Sequence, residues 1–158
     1  MNDVDAILTL NRESEALLSP LDPDSTQALI DTAYCAWVTP ERDAMLIALN
    51  EKSTYASPNF KWFSQRYERF IYVDRVVVAE SARGRGLARA LYERLIGQAR
   101  ADGYPVVCAE IYYDPPNPAS DAFHESMGFV EIGRAYLDDR GKSVRYIVRS
   151  LEAQPPES

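Results

Sequence analysis

The chain has little histidine and little cysteine: one of the first and two of the second among 158 residues. A single histidine leaves no ligand set for a zinc-type centre, so no metal is expected. Cys35 and Cys108 lie far apart with no other cysteines to support a disulfide framework, and they read as buried free thiols in a reducing cytoplasm. No apolar run approaches membrane-spanning length, and the opening MNDVDAILTLNRE lacks the layout of a secretory leader. No membrane association is therefore expected. Basic residues are outnumbered as well: 17 Lys and Arg stand against 24 Asp and Glu, a net charge of −7. A nucleic-acid partner needs a positive surface, so none is expected. The acidic balance suits a cationic amine substrate and serves solubility equally. There is no internal repeat and no sign of a second domain, and the length supports one hydrophobic core.

What is present centres on residues 71–103. Ile71 to Val78 is a strand-like run of β-branched residues. Arg83-Gly84-Arg85-Gly86 follows, and then an amphipathic helical pattern. Leu87, Ala88, Leu91, Tyr92, Leu95, Ile96 and Ala99 share one face of that pattern, with Arg89, Glu93, Arg94 and Arg100 on the other. Asp102-Gly103 supplies the stop. A strand that enters a helix through a glycine-rich turn aims free N–H groups and the positive end of the helix dipole at one point. Gly84 and Gly86 permit close approach, and Arg83 and Arg85 add charge. A phosphate, most naturally a pyrophosphate, fits such a turn; a tight turn with two solvated arginines is the alternative. No Gly-Lys-Ser/Thr follows the glycines, which removes a Walker-type loop. Arg89 stands where the dinucleotide fingerprint needs a small residue.

The segment Arg83-Gly84-Arg85-Gly86-Leu87-Ala88 resembles the Q/R-x-x-G-x-G/A signature of the GNAT superfamily of acyl-CoA-dependent N-acetyltransferases. Val76-Val77-Val78-Ala79-Glu80 is similar to the strand that precedes that loop. Downstream, Asn117 to Phe129 resembles the family's N-x-x-S/A-x-x-x-Y/H-x-x-x-G-F helix. The two matches are independent, correctly ordered and cover roughly residues 70–150. The resemblance implies an α/β (α+β) fold in residues 1–151, a central, mostly antiparallel mixed sheet of about seven strands flanked by helices. Residues 152–158 are expected to form a flexible tail. It implies acetyl-CoA as co-substrate, a primary amine as acceptor and room for a homodimer. A CoA-binding sensor or scaffold without catalysis is the alternative from another class.

The pattern along the chain predicts strands at 4–10, 36–38, 44–50, 71–78, 105–111, 129–137 and 142–151. A short helix from Thr26 to about Ala33 is expected behind an Asp24-Ser25 cap. Asn117 is expected to cap a later helix that Gly128 ends. Asp138 to Gly141 reads as the last hairpin turn. Residues 51–69 read as a long irregular loop rich in aromatics, either a pocket wall or a plug over the core.

The chemistry calls for a group that takes a proton from the acceptor amine, and the candidates are Asp74 and Glu110. Burial at the end of an apolar strand would raise the pKa of Glu110 toward neutrality. Asp74 is expected on the face of Val76 and Val78 unless a bulge intervenes. On the later helix, Asn117, Ser120, Asp121 and His124 share a polar stripe with Phe123 beside it. The resemblance puts Asn117, Ser120 and Phe123 along the CoA arm. It puts His124 where many relatives carry a tyrosine that protonates the departing thiolate. Tyr112 and Tyr113 are reserve donors. Main-chain groups of Val76, Val77 and Val78 are expected to hold the pantetheine, with Arg83, Gly84, Arg85, Gly86, Leu87 and Ala88 on the phosphates. Tyr55, Phe60, Trp62 and Tyr112 are expected to border the acceptor.

Overall fold

The strand predicted at 71–78 forms with those bounds and lies inside a six-stranded sheet. The computed structural model describes residues 3–13, 21–55, 57–113, 118–138 and 141–151. In chain order the elements are α1 (Asp3–Glu13), α2 (Pro23–Thr32), β1 (Cys35–Val38), β2 (Ala44–Asn50), α3 (Pro58–Ser64) and β3 (Ile71–Val78). A single 3-10 turn at Glu80–Ala82 leads to α4 (Leu87–Ala101), β4 (Val106–Tyr112), α5 (Pro118–Ser126), β5 (Val130–Leu137) and β6 (Lys142–Ser150). The strands lie in the order β1-β2-β3-β4-β6-β5. Every neighbouring pair is antiparallel except β3 and β4. No helix among the described residues is long and apolar enough to cross a membrane.

Six strands form instead of about seven because the expected first strand is the helix α1. Val4, Ala6, Leu8 and Leu10 alternate, which suggested a strand, but Ile7 is apolar too. The helical spacing of Ala6, Ile7, Leu10 and Asn11 buries all four. Asn11 is the deciding residue: its side chain accepts from Arg75 Nη1 at 2.7 Å, a bond that needs it turned inward. The second helix begins earlier than expected. Asp22, not Asp24-Ser25, caps it through a reciprocal pair with Ser25, and Pro23 takes the first turn, where its missing N–H costs nothing. The long loop at 51–69 contains α3, which Pro58 starts in the same way. Asn117, the hairpin residues 139–140 and the tail 152–158 lie outside the described residues.

The sheet is covered on both faces. Ile7, Leu10, Leu29, Phe60 and Phe63 pack from α1, α2 and α3 onto one face with Tyr72 and Tyr146. Leu91, Tyr92, Leu95, Ile96 and Ala99 of α4 pack onto the other with Ile71, Val73 and Val107. These are the helix positions that periodicity selected, and their burial contributes roughly 1.5–3 kcal/mol for each large side chain. β4 is buried on both sides from Val106 to Ala109, as a strand between helices on both faces should be. Cys108 is buried and Cys35 half-buried, both as free thiols. Burial holds the Cys35 thiol up at about 12, so it stays protonated.

α3 is seated by aromatic contacts from Phe60, Phe63 and Trp62. The Trp62 indole stacks on Tyr146 with ring centroids 4.1 Å apart, and it also sits against Gly133 of β5. A Cβ at Gly133 would come within 2.5 Å of Trp62 Cζ2. Gly133→Ala should therefore displace the indole and destabilise the fold by about 1–3 kcal/mol, read from urea unfolding. An unchanged midpoint would show that the stack is dispensable.

Candidate active site

The site is opened by a change of register in β3. Ile47 of β2 pairs with Arg75 and Ala48 pairs with Val73, so Asp74 is an extra, bulged residue. A bulge bends its strand and re-aims its side chains. On the other side, β3 pairs with β4 only at Ile71–Val107 and Tyr72–Cys108. Beyond Tyr72 the two strands part, while β4 continues to Tyr112 in register with β6. Alternate main-chain groups along Val76, Val77 and Val78 consequently turn toward a gap instead of a neighbouring strand.

The bulge also corrects the face expected for Asp74. Val76 packs with the α4 cluster, whereas Asp74 turns to the face of Tyr72, where it influences Tyr55, Tyr72 and Glu110. Its Oδ2 accepts from Arg75 Nε at 2.6 Å, with both side chains almost wholly buried. Arg75 is held in turn by Asn11 of α1. The ion pair is thus desolvated and braced by a further hydrogen bond, the condition under which such a pair is tolerated.

At the head of the gap lies the glycine loop. Gly84 and Gly86 have φ of 84° and 75°, conformations that favour glycine. A Cβ at either would meet nothing within 4 Å, so both open onto free space. Gly86 caps α4. The main-chain N–H groups of residues 84–89 find no acceptor among the described residues. Arg83 and Arg85 are exposed, Arg85 only 3.9 Å from Asp43. Open glycines, unsatisfied amides and two guanidiniums at a helix N-terminus make a cradle that fits an anion of diphosphate size.

Glu110 lies on β4 beside the gap, opposite Tyr146 of β6. Its Oε1 accepts from the Tyr72 hydroxyl at 2.9 Å. Its Oε2 is buried and has no hydrogen-bond partner among the described residues. Burial pushes its carboxyl up to about 7, helped by the charge on Asp74 and opposed by the donors Tyr72 and Asn59. Tyr55, half-buried, stands at the same cluster, its phenol held up at about 12 by burial and Asp74. Phe60 is buried and packs on Phe70 and Tyr72, and Trp62 lies on Tyr146. Residues 51–69 thus supply both a core plug and, through Tyr55, an edge of the acidic cluster. Tyr112 is half-buried under the Lys142 ammonium.

His124 is turned inward from α5. Its Nδ1 lies 2.8 Å from the Ser120 carbonyl, which can only accept, so Nδ1 carries the proton. Nε2 lies 2.9 Å from the Tyr92 hydroxyl of α4. Burial lowers the pKa of the ring, so it is neutral at pH 7 and Nε2 accepts from Tyr92. Phe123, Tyr92 and Phe129 surround it edge-on. Asp121 pairs with Arg145 of β6. Ser120, Asp121 and His124 of the expected stripe therefore meet protein partners, and both histidine nitrogens are engaged. Tyr72, Asn59 and Tyr92 are the functional candidates that sequence reasoning missed: Tyr72 reads there as part of a strand, Tyr92 as the inward face of a helix, and Asn59 as an unremarked residue of the 51–69 loop.

A family model described as the acetyltransferase (GNAT) family matches residues 10–129. No curated protein sequence matches the chain. Among solved structures, it is similar to the ribosomal-protein-S18-alanine N-acetyltransferase of Escherichia coli, with 16% identity and a TM-score of 0.69 over 99% of this chain and 92% of that one. An N-acetyltransferase of Staphylococcus aureus has 22% identity and a TM-score of 0.65 over 95% and 93%. NAA60 of Arabidopsis thaliana, solved with acetyl-CoA, has 14% identity and a TM-score of 0.70 over 94% and 93%. At such identities the likeness concerns the fold, an open mixed sheet flanked by helices.

The buried carboxyl makes a prediction about folding. Unfolded, Glu110 ionises near its ordinary value of 4.5; folded, it ionises near 7. Between these values the native state binds the extra proton, so native stability falls as pH rises across that window. Glu110→Gln cannot ionise and should lack this slope. The variant should gain on the native chain from pH 4.5 to 7, by up to ~3 kcal/mol, in urea unfolding at several pH values. Parallel stability curves would refute the raised ionisation.

Proposed function

The chain belongs to the acetyltransferase (GNAT) family, and on that premise we propose that it transfers an acetyl group from acetyl-CoA to a primary amine of a small molecule or peptide. The observation that carries this reading is the Glu110 carboxylate: buried beside the gap, ionising near neutrality, with one oxygen unpartnered. A primary amine is an ammonium ion in neutral water and must lose a proton before its lone pair can attack. A carboxyl with a pKa near 7 is matched to that task. Glu110 takes the proton on Oε2 while the Tyr72 hydroxyl holds Oε1. Asp74 is neutralised by Arg75, so we assign it to shaping the cluster and not to proton transfer. The acidic surroundings favour a cationic acceptor. The likeness to an enzyme whose named acceptor is an alanine of ribosomal protein S18 is consistent with a peptide amine.

Acetyl-CoA, when bound, supplies an activated thioester. Main-chain N–H groups of residues 84–89 would hold its phosphates together with the Arg83 and Arg85 guanidiniums. Gly84, Gly86, Leu87 and Ala88 would give the close approach. Val76, Val77 and Val78 would present main-chain groups along the gap, with Ser120 and Phe123 on the opposite wall. Tyr55 and Tyr112 would line the acceptor's path, and Phe60 and Trp62 would support them from behind. We assign His124 to holding α5 against α4, because both of its nitrogens are bonded within the protein. A thiol leaving group, with a pKa near ~8.5, does not demand a histidine donor. Tyr112 and Tyr113 remain the reserve donors. Two free thiols fit a reducing cytoplasm as the working compartment.

The engaged histidine also supports the second reading, a domain that binds CoA without turning it over. Thiol release across an amine panel separates the two. We expect kcat/KM to rise with pH through about 7 as Glu110 loses its proton. Glu110→Gln should slow the reaction by ~10²–10⁴-fold with acetyl-CoA affinity intact. Gly86→Glu should abolish acetyl-CoA binding in calorimetry, because it sets a carboxylate against the phosphates. Binding without thiol release from any amine would select the sensor.

A further inference from the structure

Two buried side chains reach Glu110 from different elements. Tyr72 of β3, 1% exposed, donates to Oε1 at 2.9 Å. Asn59 of α3, with no exposed surface, brings its amide toward the same carboxylate. The Asn59 amide is oriented from its far side, where the Tyr146 hydroxyl donates to Oδ1 at 3.0 Å. With Oδ1 so engaged, Nδ2 is the atom of the amide left to act on Glu110. Neither Asn59 Nδ2 nor Glu110 Oε2 closes a well-formed hydrogen bond among the described residues, although the amide lies near enough to favour the ionised carboxylate. A donor and an acceptor, chemically matched, thus lie buried in one cluster without a closed bond among the described residues. Leaving such groups unpaired costs on the order of 1–3 kcal/mol each, and the cost falls at the titratable group beside the gap.

The placement of Asn59 has its own support. Trp62 lies one turn further along α3, and its indole rests on Tyr146 over Gly133. Tyr146 therefore does two things, carrying the indole on its ring and orienting Asn59 with its hydroxyl.

We propose that Tyr72 and Asn59 are positioning residues for Glu110, Tyr72 through a formed hydrogen bond from β3 and Asn59 through an amide set close to the carboxylate from α3. This rests on Glu110 being the proton acceptor. The groups around Glu110 are Tyr72 and Asp74 of β3, Asn59 of α3, Cys108 of β4, Tyr92 of α4 and, through Asn59, Tyr146 of β6, with Arg75 neutralising Asp74. Of these, Tyr72 and Asn59 are donors that favour the ionised carboxylate, while burial and Asp74 oppose it. Removing either donor therefore moves ionisation to higher pH.

The test needs no acceptor. The Glu110 carboxyl carbon is titrated by carbon NMR in full-length protein labelled at glutamate and assigned by its loss in Glu110→Gln. In Tyr72→Phe, which keeps the ring, its midpoint should rise by about one pH unit. Asn59→Leu should move it in the same direction, and Tyr72→Phe alone decides the matter should Asn59→Leu fail to fold. A midpoint near the ordinary glutamate value in the native chain would overturn the Glu110 reading itself. A midpoint near neutrality in the native chain that Tyr72→Phe leaves in place would overturn the positioning role and spare the base. The acid limb of kcat/KM in Tyr72→Phe should follow the NMR midpoint; a uniform loss of rate with the limb unmoved would mark Tyr72 as merely structural.

Discussion

The parting of β3 from β4 is the constraint on which the rest depends. A sheet closed along its whole length would satisfy more main-chain groups and leave no cleft. Here the pairing stops after two residues on one side, and a bulge at Asp74 re-aims the strand on the other. The same strand then runs through a short turn into the loop whose amides find no acceptor among the described residues. The open sheet and the exposed glycine loop that follows it are therefore consequences of one bent strand. The helix α4 behind it is anchored by ordinary apolar burial, which keeps its N-terminus fixed while its first N–H groups stay free.

The bulge has an electrostatic counterpart. It places Asp74 and Arg75 in sequence on the buried face, where each neutralises the other and Asn11 completes the set. A neighbouring carboxyl then lies in a region that is apolar and weakly negative, and its ionisation is deferred toward neutral pH. The α1 helix, far from the loop in sequence, belongs to this arrangement through a single asparagine. On the proposed reading, binding and acid–base chemistry fall on separate elements: a loop and helix terminus for the anion, two strands and a short helix for the proton.

Much of this was legible in the sequence where local periodicity and local chemistry agree. The run from Ile71 to Val78, the inward face of α4 and the glycine turn are all short-range patterns, and they form where the residues say. Glu110 was legible too, as an acid ending an apolar strand. What was not legible depends on register. The face of Asp74 turns on one inserted residue that no alternation reveals. Tyr72 becomes a partner of Glu110 only through the parallel pairing of β3 with β4. Asn59 lies in a stretch that reads as an irregular loop, and its amide is held by Tyr146, many residues away. α1 was misread because its apolar residues satisfy a two-residue and a 3.6-residue period at once, and the tie was broken by a long-range bond to Arg75. His124 was identified as a chemical group, but its neighbours determine that both nitrogens are taken.

The indole of Trp62 occupies the space that any side chain at Gly133 would need. Positions 62 and 133 are consequently a lock and its keyhole, and descent can alter them only in concert. A lineage that acquired even a methyl group at 133 would have to surrender the large aromatic at 62, and with it the seating of the short helix beside the cleft. Drift in this corner of the molecule should proceed by paired replacements, with the glycine outlasting its better-packed neighbours on the same strand.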